Sequence, residues 1–250
     1  MLFRSLVDHG QGSPARHVRH GGARAGRERS PVGHRREEVA DTLEADDILI
    51  VNDPYYRGQH LPDIQVFSPI VFRGTVVGFV GNLAHHTDLS GGIGSMNPTA
   101  TDVFQEGMRI PPLKMKPARD LDGAPGRLLM ANSRQPDTLR ADLDAQIASN
   151  RTGQARVIEL IEKYGLDSLM ASIAMAQDFS ELEMRKAIRE VPNGVYTGED
   201  FLDGDGFDTQ PLCIRVTVRV SDEEIDIDYT GTDPQARGYV NSDRKSTRLN

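Results

Sequence analysis

Two runs of apolar alternation, Ile64–Phe72 and Thr75–Leu83, stand on either side of a single dipeptide, Arg73-Gly74. Strands joined by two residues turn straight back on one another, so this stretch commits the chain to an antiparallel hairpin. Just before it, Asp47-Ile48-Leu49-Ile50-Val51 is a short unbroken apolar run, the mark of a buried strand, stopped by Asn52-Asp53-Pro54. Downstream the period changes from two to between three and four. Leu139, Leu143, Ile147, Val157, Ile158 and Ile161 mark one face of a helix over Pro136–Tyr164. Asp137 and Asp142 suit the positive end of its dipole. Gly165 separates it from a second helix over Leu166–Arg189, with Leu169, Met170, Ile173, Phe179, Leu182 and Ile188 as its apolar set. The methionines here read as core packing rather than a cofactor box. Pro192-Asn193-Gly194 stops this helix, and strands over Val195–Leu202, Leu212–Val220 and Glu224–Tyr229 follow at meander spacing. Asp203-Gly204-Asp205-Gly206 reads as a turn, because the rest of a calcium loop is missing. The expected class is α+β, with mixed strands and β-hairpins around a long antiparallel helical hairpin.

The chemistry concentrates at the ends of the first strands. Asn52–Asp88 holds three histidines and three aspartates within 37 positions. His60 and Asp63 flank a proline, which disfavours a regular helix and puts both on one turn. His85 and His86 follow the second arm of the hairpin directly. Adjacent residues at a strand end point to opposite sides, so at most one of them joins His60 and Asp63. Asp88 is near enough in sequence to orient a histidine. Two histidines and a carboxylate suit manganese, iron or zinc, and leave positions open for water or substrate. A hydrogen-bonded structural network of the same residues is the other reading. The glycine run Gly91-Gly92-Ile93-Gly94-Ser95 lacks the phosphate-loop pattern and reads as a flexible or substrate-lining loop.

A net charge of −8 argues against a general nucleic-acid binder. No apolar run approaches the roughly 18–20 residues of a membrane span, and no secretory signal is visible. Cys213 is the one cysteine. It cannot form an internal disulfide, which points to a cytoplasmic location. It lies among Leu212, Ile214 and Val216 and reads as a buried strand residue.

Both ends look foreign. Asp243–Asn250 matches the translation of a common sequencing adapter, GATCGGAAGAGCACACGTCTGAAC. Leu2-Phe3-Arg4-Ser5 matches the translation of CTCTTCCGATCT, from the opposite adapter end. Residues 6–37 carry seven arginines among glycines and histidines with little apolar periodicity. Such a segment cannot bury enough surface to order itself. A basic arm and a frameshifted GC-rich read both fit it.

The motifs Asn52-Asp53-Pro54-Tyr55, Gly58-Gln59-His60-Leu61-Pro62-Asp63, Ala84-His85-His86-Thr87-Asp88 and Gln105–Pro112 resemble the hydantoinase B/oxoprolinase family, as do Asp142–Asn150 and Asp228–Asp233. That family includes N-methylhydantoinase B subunits, the C-terminal part of ATP-dependent 5-oxoprolinases, and the α subunits of acetone and acetophenone carboxylases. The resemblance implies a partial domain over 41–241, the N-terminal half of a longer subunit. It leaves 1–40 as a disordered or artefactual segment and 242–250 as an adapter-derived tail. It implies His60, Asp63 and His85 as metal ligands, manganese foremost, with Asp53, His86 and Asp88 as supporting catalytic candidates. It implies a hetero-oligomer with a hydantoinase A-type partner that uses ATP. The activity implied is ATP-dependent hydrolysis of a cyclic amide. The alternatives are carboxylation of a ketone and a non-catalytic assembly subunit. No contact with nucleic acid or membrane is implied. Tyr56-Arg57-Gly58-Gln59 departs from the family's smaller residues, and the segment before about Ala40 does not follow its pattern. Arg57 could contact an anionic substrate or stand solvated in its loop.

Overall fold

Four consecutive apolar residues, Ile48-Leu49-Ile50-Val51, form the first strand, and all four are buried. The computed structural model describes residues 42–241 apart from 57–59, 93–96, 98 and 239. The basic segment 1–40, the tail 242–250, Arg57 and residues 93–95 of the glycine run lie outside the described residues. In chain order the strands are β1 (Ile48–Val51), β2 (Asp63–Phe72), β3 (Thr75–His85), β4 (Leu113–Met115), β5 (Gly194–Leu202), β6 (Leu212–Ser221) and β7 (Glu224–Asp228). The helices are α1 (Val103–Glu106), α2 (Pro117–Asp120), α3 (Ala124–Ala131), α4 (Pro136–Tyr164) and α5 (Leu166–Arg189). The class is α+β, as the change of period implied. Among the described residues no helix is long and apolar enough to cross a membrane.

The chain divides into two compact units. One runs to Leu89 and takes in Arg109–Glu159; the other comprises Ser90–Met108 and the chain from Leu160. The first is built on an antiparallel sheet in the order β3-β2-β1-β4. The β2–β3 turn has Arg73 at φ 52 and Gly74 at φ 80. Positive φ at both central residues matches the turn to the right-handed twist of the strands. The ladder slips by one residue between Ile70 and Val71, leaving Val77 of β3 as the extra residue of a bulge. Beyond the slip the register is regular as far as Asp63↔His85.

Leu139, Leu143 and Ile147 of α4 are buried, as the spacing required. So are two polar residues on the same helix, Gln146 and Asn150. The Gln146 amide nitrogen donates to the Ile64 carbonyl (3.0 Å), that of Asn150 to the Val66 carbonyl (3.0 Å), and that of Gln154 to the Pro69 carbonyl (2.6 Å). Side chains four apart on a helix stand above one another. The three amides therefore form a row that fastens α4 along β2.

In α3, Gly126 has no room for a side chain: a methyl group there would lie 1.9 Å from the Leu121 carbonyl oxygen. Gly126→Ala is expected to cost about 1–3 kcal/mol, the usual range for overpacking. A lower urea midpoint with unchanged slope would show it.

The second unit holds the meander β5-β6-β7. Asp205 ties its connection down by accepting from the backbone N–H groups of Phe207, Asp208 and Gly238. Asp203–Gly206 is thus a turn, as expected. Three other expectations are corrected here. No residue of α5 is buried, and Phe179 is 62% exposed. Met175 and Met184, read as core packing, are exposed too. Cys213, read as buried, is only partly covered. The cause is common: among the described residues, no second layer covers these apolar side chains.

Candidate metal centre

The first unit brings His60, Asp63 and His85 to one place. Asp63 opens β2 and His85 closes β3, and the two are direct cross-strand partners. Opposed residues in an antiparallel pair share a face, so both side chains point the same way. His60 comes to them on the turn before β2, where the Asp63 N–H donates to the His60 carbonyl (3.1 Å). Asp63 Oδ2 lies 2.9 Å from His60 Nδ1, and its Oδ1 lies 3.2 Å from His85 Nδ1. The imidazole centroids are 5.0 Å apart. One ligand atom from each residue falls within 4.8 Å of the others. Asp63 is buried, while His60 and His85 each leave nearly half of the side chain exposed. The group therefore has an anionic floor and an open side.

One atom tests whether an ion fits. His60 Nδ1 is shut off from solvent and close to Asp63, yet has no aligned hydrogen-bond partner. A divalent cation among two imidazoles and a carboxylate would use the lone pair of His60 Nδ1. The donor set and the convergence both fit such an ion; these three residues could hold it.

His86 points the other way, as strand alternation required. It is fully buried, and its Nε2 lies 3.0 Å from Gln146 Oε1. Gln146 already donates from its nitrogen to Ile64 and Asn82, which fixes its oxygen toward His86. His86 therefore carries its proton on Nε2. Its Nδ1 faces Asp142, 3.9 Å away. Burial holds the imidazole below its ordinary pKa, so the ring is neutral near pH 7.

Asp53 and Asp88 are both buried and both paired with arginine. Asp53 accepts the Tyr55 N–H (2.9 Å) and meets the Arg109 guanidinium (3.2 Å). Asp88 was expected to orient a histidine. Its hydrogen bonds go instead to Arg134, through both backbone and guanidinium, and to Ser133. The Arg134 guanidinium holds the Asp88 carboxyl below the ordinary carboxylate range. The unfolded carboxyl titrates near 3.8, so this stabilisation is complete above that value and is lost as pH falls through the lower folded one. Asp88→Asn should therefore flatten the fall in Tm between about pH 5 and pH 2. An unchanged acid limb would contradict this role.

Two residues not singled out from the sequence hold the site's backbone. Asn52, fully buried, donates from Nδ2 to the Leu61 carbonyl (2.7 Å) and accepts the Ile110 N–H (2.6 Å). Gln146 braces both Ile64 and His86. Asn52 lies in the Asn52–Tyr55 motif and Gln146 in Asp142–Asn150, and an amide beside an apolar stripe is the signal that marks each.

Residues 24–249 match the sequence profile of the family described as Hydantoinase B/oxoprolinase. The chain belongs to this family. The match takes in residues 24–40 and 242–249, which lie outside the 41–241 span implied by the motifs. The B subunit assigned to a D-/L-hydantoinase of Pseudomonas sp. (strain NS671) is 36% identical over 209 residues, covering 80% of this chain and 35% of that protein. The beta chain of the caprolactamase of Pseudomonas jessenii is 30% identical over 203 residues, covering 81% and 35%. 5-Oxoprolinase 1 of Arabidopsis thaliana is 31% identical over 230 residues, covering 81% and 18%. The chain thus spans about a third or less of the length of these hydantoinase B/oxoprolinase relatives. The crystal structure of the ATP-dependent caprolactamase from Pseudomonas jessenii superposes with a TM-score of 0.75 at 29% identity, covering 85% of this chain and 37% of that one. An acetone carboxylase structure superposes at 0.68 with 20% identity over 82% and 29%, a likeness of fold.

Proposed function

We propose that this chain is part of a hydantoinase B-type subunit of an ATP-dependent cyclic-amide hydrolase. In this reading His60, Asp63 and His85 hold one divalent metal, manganese first, with iron or zinc accepted by the same donors. The carrying observation is the convergence of the three side chains, with His60 Nδ1 shut off from solvent against Asp63. Hydantoinase, caprolactamase and 5-oxoprolinase are names of enzymes acting on cyclic amides, and two of the similar proteins are named as subunits. A hydantoinase A-type partner would bind ATP and activate the ring, in a cytoplasmic hetero-oligomer.

When bound, the metal would polarise a carbonyl or lower the pKa of water. The chain's own residues do the rest. Asp63 supplies negative charge between the imidazoles and turns both toward one point. His60 and His85 leave their outer sides open to substrate. His86, neutral and locked to Gln146, anchors the end of β3 behind His85. Asp53 and Asp88 act by holding Arg109 and Arg134, which fixes the segments on either side. Carboxylation has no observation of its own, since the acetone carboxylase likeness is one of fold.

The test is metal analysis of the full chain, co-expressed with an A-type subunit from the same genome, followed by assays. The expected result is about one tightly held ion per chain and ADP release coupled to opening of 5-oxoproline, hydantoin or caprolactam. A metal-free but active complex would overturn the metal reading and make the cluster structural. ATP turnover that needs a ketone and bicarbonate would overturn the hydrolase reading.

A further inference from the structure

Asp63 and His85 owe their mutual position to a hydrogen-bonded ladder. His60 has no such support, because it lies outside every strand. Its turn is held instead through three successive carbonyls. That of His60 accepts from the Asp63 N–H (3.1 Å), that of Leu61 from the Asn52 side chain (2.7 Å), and that of Pro62 from the His86 N–H (2.8 Å). The first and third bonds come from the backbone of the ligand segments themselves. The second comes from the end of β1, through a residue that is itself locked. Asn52 takes the Ile110 N–H on its side-chain oxygen (2.6 Å) and gives its own N–H to the Ile110 carbonyl (3.1 Å).

We infer that Asn52 is a positioning residue for His60, setting through the Leu61 carbonyl where that imidazole stands relative to the Asp63–His85 pair. The inference rests on the metal reading above. A metal site tolerates only about 0.2 Å of error in its ligand distances. A turn released at Leu61 would let His60 swing by more than that, while the strand pair stayed in place. The expected loss of metal affinity is about 10–100-fold, the range for partners that orient ligands.

The experiment titrates the full chain with Mn²⁺ by calorimetry and records the absorption spectrum of its Co²⁺ form. Asn52→Asp keeps an acceptor for the Ile110 N–H and removes the donor to Leu61. Asn52→Ala removes both, and if it does not fold, Asn52→Asp carries the test. Asn150→Ala is the control, because it removes a buried carboxamide bonded to Val66 and Ser68 of the same sheet. The expected result is a roughly 10–100-fold weaker Mn²⁺ affinity and a changed Co²⁺ spectrum in the Asn52 variants, with parental affinity and spectrum in Asn150→Ala. Parental binding and spectrum in the Asn52 variants would overturn the inference. So would an equal loss in Asn150→Ala, which would mark a general loosening. Failure of the parent to bind either ion would appear before any variant is compared. It would sink the metal reading and this inference with it.

Discussion

Asp63→Asn is expected to abolish stoichiometric binding of a divalent metal by the full chain. Asp63 is the one anionic group of the cluster, and it touches both imidazoles, at 2.9 and 3.2 Å. Neutralising it removes the attraction for a cation and the alignment of two further ligands. The loss of affinity should therefore exceed the roughly 10–100-fold typical of orienting partners. Stability offers a second readout. An ion present at about 100 times its Kd stabilises the folded state by about 2.7 kcal/mol. That increment should vanish in Asp63→Asn, while the melting curve measured in chelator changes much less. His60→Ala should behave in the same direction, without unfolding the rest. Undiminished metal content in either variant would remove that residue from the ligand set.

Gln146→Leu should cause a large loss of stability in the first unit. The substitution nearly preserves volume and adds apolar surface, so a transfer argument alone would forecast a neutral or favourable result. The partners decide otherwise. The Ile64 carbonyl, the Asn82 amide oxygen and the His86 Nε2–H each lose a bond to Gln146, and the first and last, on fully buried residues, cannot turn to water without opening the helix–sheet contact. Each group left unsatisfied costs about 1–3 kcal/mol, and partial relaxation brings the expected total to about 3–5 kcal/mol. Urea unfolding followed by circular dichroism would measure it, since the chain has no tryptophan to report by fluorescence. Asp144→Ala, two positions away on the exposed side of the same helix, should fall within about 0.5 kcal/mol of the parent. A Gln146→Leu midpoint equal to the parent's would show that the amide row contributes nothing net.

The hairpin and its cargo were legible because they are local. Alternation over Ile64–Leu83 and the Arg73-Gly74 turn define β2 and β3 without reference to anything distant. Strand parity alone sends His85 and His86 to opposite faces. The buried polar row was not legible in the same way. Gln146 and Asn150 fall on the apolar face of a helical wheel but carry side chains that by type belong at the surface, and only the strand carbonyls opposite them make burial favourable. Asp88 failed for a related reason: its partner Arg134 lies 46 residues away, and the sequence offers no spacing rule across such a loop. The apolar residues of α5 recur at helical spacing, but periodicity identifies which side is apolar and not whether anything covers it.

The bulge at Val77 reaches the chemistry from the far end of the hairpin. The turn by itself pairs Phe72 with Thr75, and a regular ladder counted from there would set Ala84 opposite Asp63. The single extra residue advances the count by one and delivers His85 instead. Chain length on this arm is therefore a form of ligand selection. Loss of Val77 would straighten the strand and leave the same two side chains facing each other. Loss of one residue between Gly78 and Ala84 would bring His86 into the place of its neighbour and send His85 to the amide row. Two adjacent histidines make such an exchange chemically quiet at the level of composition. Arm length thus joins side-chain identity as something a working relative must preserve.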